Sequence, residues 1–300
     1  MVALSIRRDE RVIMVWMCPQ CTQPLEAGES GLLCANGHRF DRAREGYVNL
    51  LPVQHKRSKN PGDNADMVRG RRALHQAQLY RPLAEALCDL VATYTDVSTL
   101  LDIGCGEGYY DGMLSARLPG LSVYGVDIAK TAVRLAARDY RSHHYAVASS
   151  RHLPVMTSSI DLAMCIFAPV SDTEVARAVR PDGYYLEVGP AAQHLWELKT
   201  ALYEQPREHP VLRRTIPSGV LLQEGECRYE KPLTQTELQA VVAATPFAFR
   251  GHREKREALR EQSDFVITLG FSWRLFRLAA EQDAVASGAV LDDAPESTDL

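Results

Sequence analysis

The sequence predicts an α/β protein built on a doubly wound parallel sheet, with a small metal-binding module in front of it. Three observations predict this. Between Ser98 and Val188, apolar strand-like runs alternate with helix-like segments, the pattern of a sheet covered by helices on both faces. The first run, with Leu100, Leu101 and Ile103, leads directly into Gly104-x-Gly106-x-Gly108, a turn that lets backbone approach a ligand closely. Near the N-terminus, Cys18-Pro-Gln-Cys21 is followed by Cys34-Ala-Asn-Gly-His38, two turns whose side chains can converge on one ion.

Composition bounds the rest. The 300 residues are 46% hydrophobic and 24% charged, the balance of a globular enzyme with one large domain and a small appendage. No run approaches the roughly 20 apolar residues that span a bilayer. The first residues carry Arg7, Arg8, Asp9, Glu10 and Arg11 and do not read as a signal peptide, so the cytoplasm is the expected location. From Ala279 onward there are six acids and no Lys or Arg, so the formal charge of −4 becomes +2 without that tail. The tail is poor in large apolar residues and reads as disordered. The expected organisation is an extension over 1–16, the metal module over 17–59, the main domain over 60–278 and the acidic tail over 279–300. Met17 stands as an alternative start, which N-terminal mass analysis of native protein would settle.

The odd number of cysteines, seven, argues against a disulfide framework. Cys88, Cys105, Cys165 and Cys227 sit in apolar contexts and read as small buried hydrophobes. Cys18, Cys21, Cys34 and His38 fill a tetrahedral shell, which marks a structural rather than a catalytic zinc. Pro19 fixes φ in the first turn and Asn36-Gly37 tolerates positive φ in the second. The segment between has few large apolar residues, so metal supplies most of its stability. Nine Lys/Arg against six Asp/Glu lie between Cys18 and Arg72, interleaved with Phe40 and Tyr47. That mixture suits phosphate contact and base stacking, although a plain solvated face would look the same.

The elements of the main domain follow in order. Asn60 to Asn64 reads as a linker, then helices run from Ala65 to Ala77 and from Pro82 to Tyr94. After the glycine turn, Val123 to Asp127 is a second strand whose terminal acid can bond ribose hydroxyls. A helix over Thr131 to Asp139, a strand at Tyr145 whose exit at Ser149-Ser150 would face adenine, and a strand over Asp161 to Pro169 come next. Asp172 to Val179 is a helix, Arg180 to Gly183 a turn, and Tyr184 to Val188 a strand. Thr234-x-x-Glu237 opens a helix to Ala244 as a capping box, and Phe265 to Phe276 is the last strand. Asp102 stands two residues before Gly104. An acidic loop with G-x-G-x-G spacing suits S-adenosylmethionine, whose sulfonium and ammonium are positive, and would repel the pyrophosphate of a dinucleotide.

The Cys3His module, the run Glu45-Gly46-Tyr47-Val-Asn-Leu-Leu-Pro-Val-Gln-His-Lys-Arg-Ser58 and Leu101-Asp-Ile-Gly-Cys-Gly-Glu-Gly-Tyr109 together resemble the bacterial 23S rRNA (guanine-N1)-methyltransferases of the RlmA type. The likeness covers about Cys18 to Phe276. It implies a class I (Rossmann-like) S-adenosylmethionine-dependent methyltransferase fold, a homodimer, and methylation of a loop guanine in hairpin 35 of 23S rRNA. The wording Val53-Gln-His-Lys-Arg57 favours the Gram-negative housekeeping branch over the macrolide-resistance branch, which acts on a neighbouring guanine. Carried over by position, the zinc ligands are Cys18, Cys21, Cys34 and His38. Cofactor contacts fall on Tyr80, Gly106, Glu107 and His194, beside Asp102, Gly104 and Asp127 from the loop argument. Phe167, after the fourth strand, is placed to stack on the target base. The general base is not legible; Glu107 and His194 are weak candidates. Two other readings stay open: a small-molecule methyltransferase, and a non-catalytic zinc-ribbon nucleic-acid-binding protein that senses S-adenosylmethionine.

Overall fold

A computed structural model of the chain describes residues 15–55, 62–94, 96–245 and 253–279. The acidic tail beyond Ala279, most of the 1–16 extension, and Lys56 to Pro61 of the basic stretch and linker lie outside the described residues. The metal module is a three-stranded antiparallel sheet, β1 (Leu25–Ala27), β2 (Gly31–Cys34) and β3 (Arg39–Asp41). β4 (Val48–Asn49) leaves the module and pairs in parallel with the far edge of the main sheet.

The main domain begins with α1 (Ala65–Gln76) and α2 (Arg81–Ala92). The Asn64 side chain accepts from the N–H groups of Asp66 and Met67, which starts α1, and a proline in the first turn starts α2. The alternating core follows: β5 (Thr99–Ile103), α3 (Tyr109–Arg117), β6 (Ser122–Asp127), α4 (Lys130–Asp139), β7 (His144–Val147), β8 (Ile160–Ile166), α5 (Asp172–Ala178) and β9 (Val179–Pro190). The chain closes with α6 (Trp196–Leu202), β10 (Gly219–Leu233), α7 (Gln235–Ala244), α8 (Arg253–Arg260) and β11 (Phe265–Leu278). Neighbours in the main sheet run β10-β11-β9-β8-β5-β6-β7-β4. The order reverses between β5 and β8, so a crevice opens at the carboxyl ends of those two strands, where ligands of such sheets bind.

Three expectations need correcting. The sheet is mixed, because β11 runs antiparallel to β9, and β10 antiparallel to β11. β10 was not legible because nearly all its side chains are exposed or half-exposed. Glu224, Glu226, Arg228, Glu230 and Lys231 give it the charged character of an edge strand without an apolar face. Finally, Arg180 to Gly183 does not separate two elements. It bulges within β9, whose pairing with β8 jumps from Ile160–Val179 to Leu162–Tyr184.

The core lies on both faces of the main sheet. One face packs α2, α6 and α7 through Leu83, Leu87, Leu198, Leu238 and Val241. The other face continues into the metal module. Val15, Trp16, Cys18, Leu25, Leu32 and Cys34 form one buried cluster with Leu101, Ile103, Val126 and Val155 of the main domain. Trp16 bridges to Val155 and meets the Tyr124 ring edge-on at 5.4 Å. The last residues of the 1–16 extension therefore belong to this core. The thiols of Cys88, Cys105 and Cys165 are buried as expected, and Cys227 is half-buried on β10. No helix among the described residues is long and apolar enough to cross a membrane.

Candidate active site and metal centre

The metal module brings all four predicted ligands together. The thiolate-forming sulfurs of Cys18, Cys21 and Cys34 and a ring nitrogen of His38 lie within 4.8 Å of one another. His38 Nδ1 is 3.6 Å from Cys18 Sγ and 3.4 Å from Cys34 Sγ, and Cys21 Sγ is 3.7 Å from Cys34 Sγ. Bond lengths of about 2.1–2.3 Å require tetrahedral edges of roughly 3.4–3.8 Å, so the set fits zinc. Gly37, at φ +81°, makes the second turn, and its N–H donates to the Cys34 carbonyl at 2.9 Å. The backbone N–H of Gln23 pulls the Cys21 thiol down to about 6, whereas burial pushes Cys18 up. A bound divalent cation offsets the second effect and completes the first.

The aromatic expectation in this region changes. Tyr47 is buried against Val133, Ala136 and Ala137 and offers no ring to a base. Phe40 is half-buried against the shared core. Arg39, Arg42 and Arg44 remain exposed, whereas Arg72 is held by Asp139 at 2.7 Å and by Glu107 at 3.3 Å.

At the crevice two adjacent chambers, of about 340 and 460 Å³, share Asp63, Arg71, Gly104, Ile166 and Phe167 as wall residues. The first holds Tyr80, Asp102, Gly106, Glu107 and His194, and the second holds Asp127, Ile128, Ser149 and Ser150. All seven residues expected to contact the cofactor therefore line these two adjacent chambers. Gly104 must be glycine there: its φ is +83°, and a Cβ would lie 2.3 Å from Cβ of Ala168. Asp127 closes the turn, its carboxylate accepting from the N–H groups of Gly106 at 3.0 Å and Ala129 at 2.7 Å. Burial raises its pKa, and those two N–H groups counteract the rise.

Asp102 is the group that best complements a positively charged ligand. It is buried, and its Oδ1 has no hydrogen-bond partner. Burial pushes its pKa well above the usual range, and the neighbouring Asp111 carboxyl pushes it further. Asp111, fully buried on α3, is itself raised to about 7 by burial, although Tyr145 donates to its Oδ2 at 3.0 Å. Two adjacent buried acids, one of them lining the cavity, fit a ligand carrying ammonium and sulfonium charges.

The rings of Tyr80, Phe167 and His194 line the crevice with centroids 6.3 Å apart, backed by the fully buried Phe271 at 4.9–5.8 Å. Phe167 is 43% exposed and held at φ +57°, strained backbone for a bulky residue. His194 is buried, and burial pulls its pKa down to about 3, so the ring is neutral. Its Nδ1 accepts from the N–H of Gly270 at 3.3 Å. Glu107 has both carboxylate oxygens engaged, one with His75 Nδ1 at 2.9 Å and the other with Arg72.

Sequence reasoning missed Asp111, His75 and His209. Asp111 had a signal, an acid in the apolar first turn of α3. His209 had none, since it stands in an irregular segment far along the chain from the loops it joins.

A glycine turn after the first strand of the alternating core, an acid at the end of the next strand and the observed strand order define the S-adenosylmethionine-dependent methyltransferases of class I. Residues 100–183 match the family model described as a methyltransferase domain, and residues 16–59 match the zinc ribbon described as RlmA, N-terminal. The chain is 32% identical over 259 residues to the 23S rRNA (guanine(748)-N(1))-methyltransferase of Streptomyces fradiae, covering 84% of this chain and 91% of that one. It is 27% identical over 269 residues to the putative 23S rRNA (guanine-N(1)-)-methyltransferase YxjB of Bacillus subtilis (strain 168), covering 85% and 94%. The chain belongs to the family of 23S rRNA (guanine-N1)-methyltransferases.

Proposed function

We propose that this protein transfers the methyl group of S-adenosylmethionine to N1 of a guanine in the loop of hairpin 35 of 23S rRNA, as a cytoplasmic homodimer. The observation that carries the reading is the joining of an acid-lined cofactor cavity to an exposed aromatic, Phe167, on a chain whose zinc ribbon matches the RlmA type. The adenosine end of the cofactor lies against Asp127, Ser149 and Ser150. The methionine end lies against Tyr80, Asp102, Gly104, Gly106, Glu107 and His194. Phe167 stacks on the base. The zinc module over 17–59, with exposed Arg39, Arg42 and Arg44, holds RNA for the catalytic domain over 60–278.

N1 of neutral guanine carries a proton and lies on the Watson–Crick edge, so the base must be unpaired or flipped and the proton removed. A loop guanine meets the first requirement at least cost. Alignment of N1 with the methyl carbon for in-line displacement supplies much of the remaining acceleration. On sequence wording the target is that of the housekeeping branch. The similarity to an enzyme named for guanine 748 favours that position as a second reading.

Incubation of purified protein with S-adenosylmethionine and unmodified 23S rRNA, followed by primer extension, tests both. N1-methylguanine stops the polymerase. A new stop in the hairpin 35 loop, lost with Asp102→Ala, supports the reading, and its position selects the guanine. Intact cofactor binding without any stop would instead favour the small-molecule or sensor alternatives.

A further inference from the structure

Methylation at guanine N1 needs a proton acceptor beside the base and a donor for the charge that the guanine oxygen gains. Most titratable groups around the two chambers are committed elsewhere. Glu107 is occupied by His75 and Arg72, and the Asp127 carboxylate by the N–H groups of Gly106 and Ala129. Asp102 lies deep beside Asp111, at the end that suits the cofactor's positive charges. Burial makes His194 a poor base, with a pKa of about 3, and seals His209 Nε2 from solvent.

Five residues are walls of both chambers: Asp63, Arg71, Gly104, Ile166 and Phe167. The sulfur of S-adenosylmethionine joins its adenosine and methionine halves. With one half in each chamber, the walls common to both are where the methyl group meets its acceptor. Among those five residues only Asp63 and Arg71 carry charge. Their side chains are 27% and 37% exposed, so a ligand can reach them. Arg71 Nη1 stands 2.7 Å from Asp63 Oδ2, and among the described residues no hydrogen bond is made to Asp63 Oδ1. A guanidinium has five N–H donors, more than this contact uses. Burial raises the pKa of both Tyr80 and Asp127, and the Arg71 charge opposes each rise, so its field reaches one residue in each chamber.

We propose that the Asp63–Arg71 pair reads and activates the guanine, Asp63 accepting the N1 proton and Arg71 donating to O6; this rests on the guanine-N1 reading. Phe167, on the same shared wall, stacks on the ring. The Watson–Crick edge of guanine sets an acceptor, O6, beside a donor, N1–H. The pair sets a donor beside an acceptor and so complements it. Adenine sets a donor, its amino group, beside an acceptor, N1, and meets like groups in that register. A carboxylate is a weaker base than the guanine anion. Proton transfer therefore advances only as charge spreading onto O6 is stabilised, which is the part of the guanidinium.

The balance is complete. The N1–H bond breaks and its proton passes to the Asp63 carboxylate. The electron pair left on N1 forms the new bond to the methyl carbon, and the carbon–sulfur pair stays on sulfur, turning the sulfonium into a neutral thioether. The Asp63 carboxylic acid then releases its proton to water.

The test compares wild-type protein with Asp63→Asn and Arg71→Gln on unmodified 23S rRNA at saturating cofactor. Each variant should lower kcat at least about 100-fold, the size expected for a lost general base or oxyanion donor. Calorimetry should show S-adenosylmethionine affinity changed less than tenfold. A smaller loss of kcat in Asp63→Asn would overturn the assignment. A fall in cofactor affinity of tenfold or more in either variant would give the pair to the cofactor and overturn it too. A readout independent of turnover is RNA binding without cofactor. Wild type should bind a hairpin carrying the target guanine at least about fivefold more tightly than the same hairpin with adenine there. The double variant Asp63→Asn, Arg71→Gln should lose that preference, and keeping it would sink the proposal. Wild-type protein that modifies no guanine would remove the proposed function, and this inference with it, whereas active wild type with unaffected variants removes the inference alone.

Discussion

In the metal module, four ligand atoms lie within 4.8 Å of one another over three strands of three or four residues each. In the cofactor crevice, the polar groups are spread over strands, helices and loops from Asp63 to His209 and are held apart by a large apolar core. The module gathers its groups through two short turns; the crevice positions its groups through the sheet and the helices packed on it. Local sequence spacing is therefore enough to specify the first site. The second exists only after the sheet has formed. The two regions are nevertheless not independent, since Cys18 and Cys34 are buried in the same cluster as Leu101 and Ile103 of β5.

Removing the metal is the strongest way to break this comparison. Chelation, or Cys34→Ser, should unfold the module, because structural zinc contributes about 10–16 kcal/mol to such small units. Circular dichroism and limited proteolysis should then show cleavage within residues 18–46. Cofactor affinity should change less than tenfold if the crevice is self-supporting, and a collapse of cofactor binding would show that the shared core makes the two regions one unit.

Trp16→Ala tests the shared core directly. Burial of Trp16 and its edge contact with Tyr124 predict a loss of about 3–5 kcal/mol in denaturant unfolding, as for other large core truncations. Zinc content by metal analysis should remain at one ion per chain.

Asp127→Ala removes the acceptor for two backbone N–H groups that shape the glycine turn. Calorimetry should show cofactor affinity falling about 100-fold, consistent with losing bonds to a charged group worth roughly 1.5–3 kcal/mol each. Zinc binding should be unaffected.

The smallest effect is a pH dependence. Burial holds Asp111 protonated up to about 7 in the folded protein, well above its ordinary value. An acid whose folded pKa is raised contributes stability below its unfolded pKa and loses it as pH rises to the folded one. Asp111→Asn should therefore gain stability relative to wild type as pH rises from about 4 to 7, with the difference constant above that. Thermal unfolding without cofactor at several pH values checks this, and an opposite trend would show that Asp111 is ionised in the fold.

How far each part was legible follows the range of the interactions that make it. The zinc ligands could be read because their spacing within two turns is itself the chemistry. The glycine turn and Asp127 could be read because positive φ and a strand-ending acid are local requirements. The capping box of α7 is observed as Thr234 and Glu237 predict, with both reciprocal bonds present. β10 was illegible because an exposed edge strand has no apolar period; its hydrogen bonds to β11 hold it. Tyr47 reads as a free aromatic in sequence and is buried in the structure, because β4 joins the main sheet beside β7.

The sequence by itself determined the fold class, the metal set and the glycine turn, since each rests on contacts within a few residues or on a hydrophobic period. Only the tertiary structure decided which acid lacks a counter-charge, which histidine accepts a backbone N–H and which ion pair borders both chambers. Those properties depend on groups that approach across the fold: Asp111 against Asp102, Gly270 against His194, and the Asp63–Arg71 pair lining the same chambers as Phe167.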